Sequence, residues 1–370
     1  MERKPIIAGI TQGDINGIGY EIIIKALADS SVTDLCVPVV YGSPKVAAYH
    51  RKVLNITNFN FNNVKSVAEV NPRKVNLVNC LDDEVRVELG KSTPEGGQAS
   101  LAALESAVAD LTGGKIDVLV TAPIDKSNIQ SDKFRFTGHT DYLKSKVNAS
   151  EVLMLMICES MKIGFVTEHL ALRDVPGAIT VSQILGKLRL LNRSLLRDFA
   201  VRGPRIGVLA LNPHAGDGGL LGTEEKDIII PAISKANEEG ILAFGPYSSD
   251  GFFGSGAFAR FDAVLAMYHD QGMGAFKALA FDTGVNFTAG LPVIRTSPVH
   301  GTAFDITGKN EASGNSMRQA IYAACDIYRN RQMYEELSRN PLQAQKVEIH
   351  TDHDHVDELP PEPENYDHAL

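Results

Sequence analysis

Residues 262–300 read DAVLAMYHDQGMGAFKALAFDTGVNFTAGLPVIRTSPVH. An apolar run from Ala263 to Met267 stops at Tyr268-His269-Asp270-Gln271-Gly272. A short apolar run without polar alternation predicts a strand buried on both faces, and such strands belong to parallel sheets covered by helices. The polar residues after it then fall at the carboxyl end of the strand. That is the edge where open α/β sheets bind their ligands. Lys277, Asn286, Arg295 and His300 follow, separated by glycine-rich and apolar segments.

The same grammar runs outward from this stretch. Residues 5–11 (PIIAGIT), 37–41, 117–120 (DVLV), 152–158, 163–167 and 205–211 (RIGVLAL) are short apolar runs read as strands. Helical spacing occupies residues 20–28, 98–111, the segment after Ser182, 223–240 and 316–329. Pro231 should kink or split the helix at 223–240. Residues 75–78 and 85–89 read as a short edge hairpin. Strands and helices alternate throughout, which indicates an α/β protein with largely parallel sheets. A chain of 370 residues is expected to form two α/β domains, followed by an acidic tail at 347–370.

Formal net charge is −9 over the whole chain. Residues 347–370 contain eight acids and no Lys or Arg, so the remaining body holds 36 basic and 37 acidic residues. A near-neutral body carries no basic field for nucleic acid or membrane. The N-terminal apolar segment is too short for a signal core, and no run approaches a membrane span. The chain reads as soluble and cytoplasmic. Cys36, Cys80, Cys158 and Cys325 lack any CxxC spacing and are expected to be reduced thiols.

Ten histidines sort by context. His350, His353, His355 and His368 lie in the tail, and His50 is expected on a surface. His169, His214 and His269 each lie one to three residues past a predicted strand. Three imidazoles at one sheet edge can hold a divalent metal with an open position. Lys277 and Arg295 are cations in apolar settings, costly to bury without an anion. Gly138-His139-Thr140-Asp141 offers several donors at one turn, with Thr140 as a helix N-cap. The loop containing Gly13, Asp14, Gly17 and Gly19 joins a strand to a helix and offers backbone N–H groups to an anion or a cofactor. It is not GxGxxG, and no P-loop or GxSxG motif occurs.

Five segments together resemble one family. FTGHTDYL (136–143), VTEHLALRDVP (166–176), NPHAGDGG (212–219), AMYHDQG (266–272) and GVNFTAGLPVIRTS with HGTAFDI (284–306) are similar to 4-hydroxythreonine-4-phosphate dehydrogenases. The resemblance runs in order from about residue 5 to 330. It implies an isocitrate/isopropylmalate dehydrogenase-like fold: two α/β/α domains with largely parallel sheets, residues 1–130 plus 297–346 and residues 131–296, with the active site in the cleft between them. It also implies NAD- or NADP-linked oxidation of 4-phosphooxy-L-threonine with decarboxylation, in pyridoxal phosphate biosynthesis. His169, His214 and His269 would hold one divalent metal (zinc, magnesium or cobalt). His139, Thr140, Lys277, Asn286 and Arg295 match substrate-binding positions, and Asp270 and Lys277 are the catalytic candidates. A homodimer with sites shared across the interface is implied. The chain departs from the family pattern in its first glycine loop, at Ser249-Asp250-Gly251 and at Val299. The alternatives are a sibling dehydrogenase of a phosphorylated C4 sugar acid, a metal-dependent phosphate-ester hydrolase and a non-catalytic binding protein.

Overall fold

A computed structural model describes residues 4–81 and 84–340. The acidic tail and its histidines lie outside the described residues. The strands are β1 (Ile7–Thr11), β2 (Val37–Gly42), β3 (Asn62–Val64), β4 (Asn76–Asn79), β5 (Val118–Thr121), β6 (Leu153–Ile157), β7 (Lys162–Phe165), β8 (Arg205–Leu209), β9 (Leu242–Tyr247), β10 (Ala263–Ala266), β11 (Val285–Ala289) and β12 (Arg295–Pro298). The α-helices are α1 (Gly19–Leu27), α2 (Ser30–Leu35), α3 (Pro44–Val53), α4 (Pro94–Thr112), α5 (His139–Lys146), α6 (Val175–Ala178), α7 (Val181–Arg197), α8 (Ile230–Glu238), α9 (Ser249–Gly254), α10 (His269–Ala280) and α11 (Asn315–Ser338).

All twelve strands form one sheet in the order β3-β4-β2-β1-β5-β12-β11-β6-β7-β10-β8-β9. The first six places hold strands from residues 7–121 and 295–298, and the other six hold strands from 153–289. Pairing is parallel except at β12–β11, β11–β6 and β6–β7, which lie consecutively at the middle of the sheet. One face packs α1, α7 and α11 against residues such as Ile10, Val120 and Phe287. On the other face, Leu101 and Leu104 of α4 and Tyr142 of α5 pack with Tyr41 and Leu119. Burial on both faces explains why the strands read as unbroken apolar runs. Among the described residues no helix is long and apolar enough to cross a membrane.

Local chemistry sets the helix starts. Thr93 accepts from the Gly96 amide to cap α4, with Pro94 in its first turn, and Thr180 caps α7 by accepting from Gln183. Pro231 does not break the expected long helix, whose backbone stays helical at Ile229 and Ile230. Residues 225–229 form a π-helical turn that runs on into α8 at Ile230, so the proline is met by a local change of helix type.

Several expectations are corrected. Residues 85–89 form no strand, and β4 pairs parallel with β2 and β3, so there is no hairpin. His50 is 2% exposed, not on the surface, and its ring Nε2 lies 2.7 Å from the Ile15 carbonyl. The helix carrying it presents one face to the core, and a polar ring there is tolerated because it is hydrogen-bonded. Thr140 is inside α5, which begins at His139 after Gly138. The four cysteines are free thiols, with Cys36 and Cys325 buried.

Candidate active site

Register builds the central part of the site. Asn286 of β11 stands opposite Ser297 of β12, and Phe287 opposite Thr296. Alternation along a strand therefore puts Asn286, Thr288, Arg295 and Ser297 on one face. Thr296 turns the other way and donates its hydroxyl to the Ala320 carbonyl of α11. Arg295 pairs with Leu119 of β5, so Thr121, two residues on, shares its face. Thr11 of β1 is the register partner of Thr121. The strand ends thus line up hydroxyls, an amide and a guanidinium beneath the start of α5.

Arg295 is 4% exposed. Its Nε and Nη2 donate to Thr121 Oγ1 at 3.1 and 2.7 Å, and Nη2 lies 3.3 Å from His139 Nδ1. Among the described residues no carboxylate pairs with it. Burial lowers its pKa from the ordinary 12.5 to about 10. His139 is held well below the ordinary histidine value by burial first, then by the charges of Arg295 and Lys126. It is therefore neutral, and its Nε2 is buried with no partner. Asn286 Oδ1 and Thr11 Oγ1 are likewise buried without partners. The hydroxyls of Thr140 and Thr288 lie 3.4 Å apart.

Lys277 does not join this group. It is exposed on α10, and its charge acts on His300, whose pKa is lowered mainly by burial and then by Lys277. His300 Nε2 is buried without a partner. The two cations therefore serve two separate places.

The histidine edge follows from topology. β7, β10 and β8 are adjacent and parallel, with Phe165 beside Ala266 and Leu265 beside Val208. Their carboxyl ends lead to His169, His269 and His214. The His169 and His269 rings lie 6.1 Å apart, and Phe165 stacks on His269 at 5.9 Å. His269 Nδ1 lies 2.7 Å from Asp270 Oδ1, which leaves Nε2 of the ring outward of that contact. The third histidine is not gathered with them. Among the described residues no group of three or more His, Cys, Asp or Glu side chains is arranged to hold a metal ion.

The position of His214 has a local cause. Residues 214–218 all have left-handed φ, from 46° to 79°, although three of the five are not glycine. Glu225 holds this turn. Its Oε1 accepts from the Leu211 and Asn212 amides at 2.8 Å each, and its Oε2 accepts from Asn212 Nδ2 at 3.0 Å. A Cβ on Gly216 would stand 2.6 Å from Glu225 Oε2, so that position needs glycine. Asp250 lies near this turn. Hydrogen bonding from Ser248 chiefly lowers its pKa, with the His214 charge a smaller cause.

In the glycine loop, four amides are used inside the fold. The Asp14 amide donates to the Pro123 carbonyl, Gly17 to Asp14, Ile18 to Thr302 and Asn16 to the Asp14 carboxylate. Those donors are already used. A Cβ on Gly13 or Gly19 would stand 2.3 or 2.2 Å from the carbonyl of Pro123 or Gln12, so both glycines permit close chain packing. Burial raises the pKa of Asp14, which accepts from Asn128.

Thr121, Thr288, Glu225 and Lys126 were not singled out from sequence as site residues, and Asp250 was noted only as a departure from the family pattern. Thr121 had a visible signal, as the polar residue ending an apolar strand. Glu225 had none, because its role depends on amides 13 and 14 residues earlier.

Comparison with known proteins places the chain in a family. The family described as pyridoxal phosphate biosynthetic protein PdxA matches residues 34–324. A 4-hydroxythreonine-4-phosphate dehydrogenase of Bacteroides thetaiotaomicron is 52% identical over 355 residues, covering 96% of this chain and 97% of that protein. One from a Sulfurihydrogenibium species is 41% identical over 322 residues, covering 87% and 98%. The crystal structure of a 4-hydroxythreonine-4-phosphate dehydrogenase from Klebsiella pneumoniae is similar at a TM-score of 0.76 and 31% identity, covering 89% of this chain and 99% of that one.

Proposed function

The chain belongs to the pyridoxal phosphate biosynthetic protein PdxA family, and from that membership we propose that it oxidises the 3-hydroxyl of 4-phosphooxy-L-threonine. NAD or NADP takes the hydride. The β-keto acid loses CO2 and leaves 3-amino-2-oxopropyl phosphate. The family makes the chain an oxidoreductase of pyridoxine biosynthesis.

The observation that carries the substrate side is Arg295, a buried guanidinium with no carboxylate among the described residues. A cation in that state is stabilised when the ligand brings the anion. His139 and Asn286 add polar atoms without partners, and Thr140 adds a hydroxyl. Lys277 is a second cation at a separate place, which suits a substrate bearing both a phosphate and a carboxylate. Asp270 and Lys277 are the proposed proton-handling groups. A divalent ion (zinc, magnesium or cobalt) belongs to the same proposal, with His169, His214 and His269 as ligands. A second copy that completes the set in a homodimer is part of the same proposal. The place of action is the cytoplasm.

The test is to incubate the purified chain with 4-phosphooxy-threonine, NAD or NADP and a divalent metal, and to follow reduced nicotinamide. Turnover of 4-phospho-threonate or 4-phospho-erythronate instead would move the substrate to a phosphorylated sugar acid. Release of inorganic phosphate without reduction would make the chain a hydrolase and overturn the proposal.

A further inference from the structure

Arg295 has a positioning partner. The guanidinium has two hydrogen-bonding edges. One is formed by Nε and Nη2, the other by the two terminal nitrogens. Thr121 Oγ1 accepts from both members of the first edge, at 3.1 and 2.7 Å. That leaves the terminal edge for another acceptor, with His139 Nδ1 3.3 Å from Nη2 on that side.

Thr121 is itself fully buried on β5. Strand register brings it to the face that carries Arg295. A β-branched side chain on a strand is restricted at χ1, so its oxygen is a fixed point rather than a mobile one. An arginine side chain has several free torsions, and freezing them on ligand binding would weaken binding. The clamp freezes them before the ligand arrives.

We infer that Thr121 is the positioning residue of the anion site: it grips the inner edge of Arg295 and aims the terminal edge at the anionic group of the substrate. This rests on the reading of Arg295 as a substrate-anion residue given above. A neighbouring polar atom extends the arrangement. Thr11 Oγ1, on the register partner of Thr121, is buried without a partner. Thr121 also has one hydroxyl proton left after accepting twice, so hydrogen-bonding capacity remains around the clamp. A hydrophobic residue of the same shape at position 121 would keep the packing and remove only the acceptor.

The experiment compares the full-length wild type with Thr121→Val and Thr121→Ser. Two readouts are used: steady-state kinetics with 4-phosphooxy-threonine, and the rise of the melting midpoint with inorganic phosphate. Thr121→Val is expected to raise KM about tenfold, the worth of one charge-assisted hydrogen bond, with kcat within about threefold. It is also expected to lose the phosphate-induced rise. Thr121→Ser keeps the acceptor and is expected to retain wild-type KM and the phosphate response. An unchanged KM and phosphate response in Thr121→Val would overturn the inference. So would a wild type that phosphate does not stabilise. If Thr121→Val does not fold, a raised KM or lost phosphate response in Thr121→Ser overturns it equally. A wild type that turns over no 4-phosphooxy-threonine, yet shows a phosphate response that depends on Thr121, would sink the proposed reaction and leave the clamp standing.

Discussion

Arg295 is buried and tied to Thr121 and His139 inside a single chain, whereas His169 and His214 stand exposed beyond β7 and β8. Both regions use side chains at strand ends, but they are finished to different degrees. The arginine region is preorganised by strand register and by burial. The histidine edge is brought together by topology but not closed. Rigid placement of a buried cation is cheap when neighbouring strands already fix the backbone. Placement of three imidazoles, two on loops and one at the first residue of α10, depends on each segment. One of those loops is locked by Glu225 into a left-handed turn of its own.

The contrast can be broken at its strongest point first. Arg295→Met should raise KM for the phosphorylated substrate by about ten- to a hundredfold, the range of a hydrogen bond to a charged group. The fold should survive, because an apolar side chain suits the burial. Wild-type kinetics in that variant would remove the basis for calling this region the anion site.

His269→Ala and His214→Ala should each lower metal content while leaving the melting midpoint close to wild type, since His214 is exposed and His269 is only partly buried. Metal analysis of the purified variants checks this. Unchanged stoichiometry in both would dissociate the histidine edge from metal binding.

Glu225→Ala should cost about 2 kcal/mol of stability or more, because the Leu211 and Asn212 amides lose their acceptor. Denaturant unfolding would measure it. A neutral result would mean that the left-handed turn holds itself, and that His214 is less constrained than the geometry indicates.

The smallest effect concerns pH. His50, His139 and His300 all have pKa values below the ordinary 6.5, with burial the largest cause in each. The unfolded chain therefore binds protons that the folded chain refuses. This part of the stability is complete above pH 6.5 and falls as the pH drops through that value. His139→Asn should make the decline shallower in melting experiments across pH. Superimposable profiles for variant and wild type would count against the neutral, buried state of His139.

Much of the architecture was legible because burial on both faces leaves a plain mark: residues 263–267 and 205–211 carry no polar alternation, and both contain parallel strands. The elements that misled did so for local reasons. Residues 85–89 have strand-like composition but find no partner. His50 sits alone among polar neighbours in sequence, yet the helix turns it inward.

The sequence by itself determined the α/β class, the family and the residue types that meet at the strand ends, because those follow from local patterns of apolarity and from motifs. Tertiary structure decided which of those residues touch. Arg295 and Thr121 are 174 positions apart and meet only because β12 lies against β5. Lys277, much nearer to Arg295 in sequence, is carried to another place by α10. Side-chain contact is set by strand order and register, and long-range pairing of that kind leaves no local trace in the chain.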